Sequence, residues 1–102
     1  MKTPRKSSSA EQAEIALEKE ADGHSREIRA KIHAVFNELD IGDVWNVSVG
    51  QLVFWIKKTG PKSMILYSGR GTYLTLVSNR ILFRLRNTRY KVTASHKMPK
   101  RR

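Results

Sequence analysis

"TYLTLVSNRILFRLRNTRYKV", residues 72–92, decides how this chain folds. From Ser78 onward apolar and basic residues alternate, and the whole stretch contains no carboxylate. A period of two predicts strands. Ser78-Asn79 and Asn87-Thr88 then read as two-residue hairpin loops. The first loop sets Leu76 opposite Ile81, Leu74 opposite Phe83 and Tyr73 opposite Arg84. The second sets Leu85 opposite Tyr90, Arg84 opposite Lys91 and Arg86 opposite Arg89.

Directly opposed residues share a face of the sheet, and the two registers agree. One face collects Leu74, Leu76, Ile81, Phe83, Leu85, Tyr90 and Val92. The other collects Tyr73, Thr75, Val77, Arg80, Leu82, Arg84, Arg86, Arg89 and Lys91. The pairs Arg84/Lys91 and Arg86/Arg89 set like charges side by side, which destabilises a sheet unless a polyanion neutralises them.

Outward from this core, the period of two extends back to Met64 and predicts strands at 64–68, 72–77, 80–86 and 89–94, an antiparallel meander. The loop "SGRG" leaves one choice open. A two-residue loop puts Ile65 and Tyr67 on the apolar face, and a three-residue loop puts Met64 and Leu66 there.

The first half reads as helical. Ser9 with Gln12 forms a capping box for a helix over 10–21, ended by Gly23. Ser25 caps a second helix over 25–39, whose apolar residues Ile28, Ile32, Val35, Phe36 and Leu39 keep a 3.6-residue period. "DIGD" at 40–43 ends it. A third helix is expected over 49–58, with Ser48 and Gln51 as its box, although "VWNVSV" and "LVFWI" are rich in strand-forming residues. The expected fold is α+β, with two or three N-terminal helices packed on one face of a three- to four-stranded antiparallel meander. Residues 10–94 form the single domain, and 1–9 and 95–102 are flexible basic tails. Trp45 and Trp55 are placed in the core or between helices.

Charge is the strongest functional signal. The 102 residues carry 20 Lys/Arg against 9 Asp/Glu, a net charge of +11. All nine acids lie between Glu11 and Asp43, and residues 1–43 hold seven Lys/Arg. From Val44 to Arg102 there are thirteen Lys/Arg and no acid. Two halves of such different character point to two tasks, and the basic half to a polyanionic partner.

Other classes recede. There is no cysteine, and His24, His33 and His96 lack metal-ligand spacing. No catalytic set, metal or cofactor is expected. No apolar run is long enough to span a bilayer, and the basic start lacks an apolar stretch of signal-peptide type. The expected location is cytoplasmic, and the expected protein is non-enzymatic. It binds nucleic acid, DNA before RNA, as in a transcription regulator. The expected contacts are Arg70, Tyr73, Arg80, Arg84, Arg86, Arg89, Lys91, Lys97 and Lys100. A homodimer through the N-terminal helices is a further expectation. The alternative is a small basic factor that docks on an acidic partner or a ribosome through Trp45 and the N-terminal helices.

Two resemblances accompany this reading. Residues 49–74, "VGQLVFWIKKTG…GRGTYL", resemble the recognition helix and wing of winged-helix regulators. "DIGDVWNV" leaves little room for the helix that should precede the recognition helix. Residues 80–97, "RILFRLRNTRYKVTASHK", resemble the closing strands of RelE/HigB-type toxin nucleases. That resemblance implies RNA cleavage, with Arg84, Arg86, Tyr90 and His96 as candidate residues. The opening strand of that family has no counterpart in residues 1–15. The "SGRG" segment lacks the Gly-Lys-Ser/Thr ending of a phosphate-binding loop and is read as a hairpin loop with Arg70 at its tip.

Overall fold

The structure is a computed structural model that describes residues 6–97, with side chains from residue 11 onward. The elements run α1 (Lys6–Glu38), β1 (Val44–Val49), β2 (Leu52–Gly60), β3 (Ser63–Tyr67), α2 (Thr72–Arg86) and β4 (Lys91–Ser95). The four strands lie in sequence order in one sheet. β1 pairs with β2 and β2 with β3 antiparallel, whereas β3 and β4 are parallel. Parallel neighbours need a crossover, and α2 provides it. α1 packs against β1 and β2, and α2 packs against β4 and α1. The fold is therefore α+β, with a mixed sheet and two helices rather than an antiparallel meander.

The opening stretch is the main correction. Residues 72–86 form α2, not two strands. Leu74, Val77, Ser78, Ile81, Leu82 and Leu85 follow spacings of 3, 1, 3, 1 and 3, a 3.6-residue stripe. The last five of these are buried. The same letters satisfy a period of two only if Ser78-Asn79 turns. A two-residue hairpin turn needs positive φ, which Ser adopts poorly, and no Gly or Pro interrupts 72–86. The continuous helix wins, and Phe83 is left 63% exposed where the strand reading buried it.

The helical half is corrected in turn. The helices at 10–21 and 25–39 are one element, and α1 runs through Ser9 and Gly23. Ala21, Ser25, Ile28, Ile32 and Phe36 are buried along one stripe. That packing outweighs the roughly 1 kcal/mol a mid-helix glycine costs. The Ser25 hydroxyl donates to the Asp22 carbonyl at 3.0 Å and caps nothing. α1 ends where expected. In "DIGD" the Asp40 amide donates to Asp43 Oδ2 at 3.1 Å, and Gly42 takes φ 101°, a region Gly reaches without strain.

The helix over 49–58 is absent. Residues 44–60 form a hairpin with Val49 opposite Leu52 and Gly50 at φ 59° in the turn. Ser48 lies in β1 and Gln51 in the turn, so neither caps a helix. The strand-forming residues decided this segment. The strand at 64–68 is present as β3, with Met64 and Leu66 buried. The strand at 89–94 is present as β4, although it pairs with β3.

One core joins the layers: Ile28, Ile32 and Phe36 from α1, Phe54, Ile56, Met64 and Leu66 from the sheet, and Val77, Ile81 and Leu85 from α2. Both helices lie on that side. No described element covers the opposite face of the sheet.

Candidate nucleic-acid interface

The cations expected on one sheet face are distributed over three places. Arg84 and Arg86 are exposed in the last turn of α2, Arg89 is exposed in the turn that follows, and Lys91 opens β4. The Lys91 amide donates to the Lys62 carbonyl at 2.8 Å, which brings the β2–β3 turn and its lysine to the same end of the sheet. Arg70 and Lys97 lie at the other end. There the Ser68 amide donates to the Ser95 carbonyl at 2.9 Å, and Ser68 Oγ lies 3.3 Å from His96 Nδ1. Two groups of cations thus flank β3 and β4, about 16 Å apart along a five-residue strand.

Arg80 belongs to neither group. Its Nε is 3.1 Å from Asp22 Oδ1, close enough for an ion pair but not aligned as a hydrogen bond, and its Nη2 is 3.5 Å from Glu18 Oε1. It joins α2 to α1 and is engaged by the protein's own carboxylates. Tyr73 is half-buried in the first turn of α2, edge-on to His24 at 6.3 Å. Burial pushes its phenol pKa up, and the charge of Glu20 adds to this. Tyr73 and Arg84 are not neighbours across a sheet; they sit near opposite ends of α2. Lys100 lies outside the described residues.

Lys58 is occupied as well. Its ammonium donates to the carbonyls of Phe36 and Leu39, at 3.2 and 2.9 Å, and caps the C-terminus of α1.

The open sheet face carries what sequence reasoning missed. Alternation from the buried Phe54 and Ile56 places Val53, Trp55 and Lys57 on it, and alternation from Met64 and Leu66 places Ile65 and Tyr67 there. Strand register assembles these into rows. Asn46, Trp55, Tyr67 and Ser95 are successive partners across the four strands. Val44, Lys57, Ile65 and Thr93 form the next row, and Ser63 with Lys91 lies beyond it. Trp55 and Tyr67 are direct cross-strand partners, both partly exposed. No carboxylate stands on these rows.

The signal that would have found this face is the parity of 44–57. It was obscured because Val44, Val53 and Trp55 make the outer face nearly as apolar as the inner one. Trp45, expected in the core, is 57% exposed at an open cleft with Val35, Leu39, Glu38 and Asp43.

The two resemblances lose their structural basis. The stretch matched to a recognition helix is β2, and "GRGT" leads into α2 rather than turning a wing. Contrary to the hairpin reading, the loop at 68–71 does precede a helix, with Gly71 at φ 136° and no side chain capping it. Of the residues matched to toxin strands, 80–86 are helical. β4 separates Tyr90, packed on Phe36 at 4.9 Å, from His96 at its far end. Among the described residues, no three His, Asp or Glu side chains are placed to hold a metal, and no helix is long and apolar enough to cross a membrane. No family model, curated protein or solved structure matches the chain.

Proposed function

We propose that the protein binds nucleic acid through its phosphate backbone. The observation that supports this is the separation of charge between α1 with the loop that follows it and the rest of the fold. Every acid lies on α1 or in the loop that follows it, on the helix-covered side. Lys57 lies on the open face, Lys62, Arg89 and Lys91 lie at its end, and Arg84 and Arg86 stand in the last turn of α2, all in a half of the chain without a single acid. A surface so arranged attracts a polyanion and has no negative group of its own to repel one.

The test is a salt titration of the intact chain with short duplex and single-stranded oligonucleotides. If about six cations displace counterions, log K falls against log salt with a slope of about −5 on duplex and about −4 on a single strand. Arg84→Glu combined with Lys91→Glu weakens binding at least tenfold and leaves the melting temperature unchanged. A slope no steeper than about −1 on every polymer removes the phosphate backbone as the target.

A further inference from the structure

We propose that the outer edge of β1 pairs with the β1 edge of a second copy about a two-fold axis, and that Lys31 of each copy meets Glu38 of the other. The inference is independent of the nucleic-acid reading above.

β1 has one neighbour in the sheet, β2, so its other side is an edge. The Lys58 amide donates to the Asp43 carbonyl at 3.0 Å, which directs that carbonyl toward β2. Alternation then directs the backbone groups of Trp45, Val47 and Val49 toward β2, and those of Val44, Asn46 and Ser48 outward. On the outer side the Lys31 ammonium donates to the Ser48 carbonyl at 3.1 Å. Among the described residues, no backbone group pairs with β1 on that side. Trp45, Asn46 and Ser48 are exposed. Sheets blunt such edges with Lys, Pro or a bulge, as the opposite edge does with Lys91 at the start of β4. "VWNVSV" has no Lys or Pro, and its register with β2 is unbroken.

The side chains beside this edge are self-complementary. Lys31, Ala34, Val35 and Glu38 lie on one stripe of α1. Lys31 reaches Ser48 near the end of β1, and Glu38 lines the cleft of Trp45 near its start. The two charges are about 10 Å apart along the helix, with the small, exposed Ala34 between them. A two-fold axis through Asn46, normal to the sheet, sets Val44 opposite Ser48 of the second copy and runs the two α1 helices antiparallel. Each Lys31 then comes to the Glu38 of the other copy, and Trp45, 57% exposed in the single chain, comes beside the other β1.

Other occupants fit less well. Glu38, Asp40 and Asp43 at one end of the edge repel a nucleic acid, and Lys31 at the other end repels a uniformly basic peptide. A strand flanked by the same two signs in reverse order matches both ends, and a second copy supplies it.

The experiment measures the mass of the full chain by light scattering from about 1 μM to about 1 mM. At about 0.15 M salt, the mutual repulsion of two chains of net charge +11 is screened beyond about 8 Å. The expected result is the mass of two chains at the upper concentrations, with slowed hydrogen exchange at the amides of Val44, Asn46 and Ser48. Lys31→Glu or Glu38→Lys alone brings like charges together twice in the dimer and weakens association by about tenfold or more. The double variant restores association, and the two single variants, once mixed, form mixed dimers. Glu38→Lys cannot restore the lost Lys31–Ser48 contact, so the rescue reports contact between copies. Asn46→Pro removes an outward N–H and no bond to β2, and it too weakens the dimer. A chain that stays monomeric to about 1 mM overturns the second copy as the occupant of this edge. A dimer that neither the charge reversals nor Asn46→Pro weaken is held elsewhere, which overturns the proposal. Weakening in both single variants without rescue in the double variant overturns the pairing of Lys31 with Glu38.

Discussion

Lys58 and Phe36 are joined twice: the lysine ammonium donates to the Phe36 carbonyl at 3.2 Å and lies 4.4 Å from the centre of the Phe36 ring. The final turn of α1 contains no cation of its own. β2 therefore supplies the positive charge that the end of a helix favours, and the same contact ties the helix to the sheet at the point where the chain turns into β1. Lys58→Met keeps the aliphatic stem and removes the charge and its hydrogen bonds. The expected cost is about 1–3 kcal/mol in urea unfolding with an unchanged m-value. Nucleic-acid affinity should not change, because this lysine is already engaged.

The helical assignment of 72–86 makes opposite predictions for two neighbouring residues. Phe83→Lys lies on the solvent side of α2 and should shift stability by no more than about 0.5 kcal/mol. Ile81→Ala opens a cavity between α2 and the sheet and should cost about 2–5 kcal/mol. The hairpin reading buries both side chains, so a large loss from Phe83→Lys would restore it.

Among the arginines of α2, Arg80 should behave unlike the rest. Arg80→Ala breaks a partly exposed ion pair with Glu18 and Asp22 and is expected to cost at most about 1 kcal/mol. The salt slope of binding should stay as it was. Arg84→Ala with Arg86→Ala should leave stability unchanged and reduce the slope by about 0.7–0.9 for each phosphate no longer neutralised. An unchanged slope in the double variant would exclude the end of α2 from the interface.

His33 links stability to pH. Its pKa is held below the ordinary value of 6.5, first by burial and then by the charge of Arg29, and its ring lies 4.9 Å from that of Tyr90. The unfolded chain then binds the proton more readily than the folded one. Its contribution to stability is fully present above pH 6.5 and declines as pH falls through the folded-state value. His33→Gln should flatten this part of the stability profile. An NMR titration placing the folded pKa at or above 6.5 would reverse the sign.

The charge pattern, the end of α1 at "DIGD", the strand around 64–68 and the apolar stripe of 28–36 were legible from residue types, because each rests on local spacing or composition. Three decisions needed the tertiary structure. Residues 72–86 satisfy both a period of two and a period of 3.6. Burial of Val77, Ile81, Leu82 and Leu85 in the core shared with α1 and the sheet selects the helix. Gly23 permits a helix end, and it remains mid-helix because the buried residues on either side of it share one packing surface.

Segment 44–60 has apolar residues on both parities, so its alternation is concealed until the helices are seen to cover only one side. Composition alone determined that the second half of this chain is a concentrated positive charge. Only the pairing of strands decided which residues that charge surrounds. Trp55 and Tyr67 are 12 positions apart in the chain, and hydrogen bonding between β2 and β3 makes them neighbours.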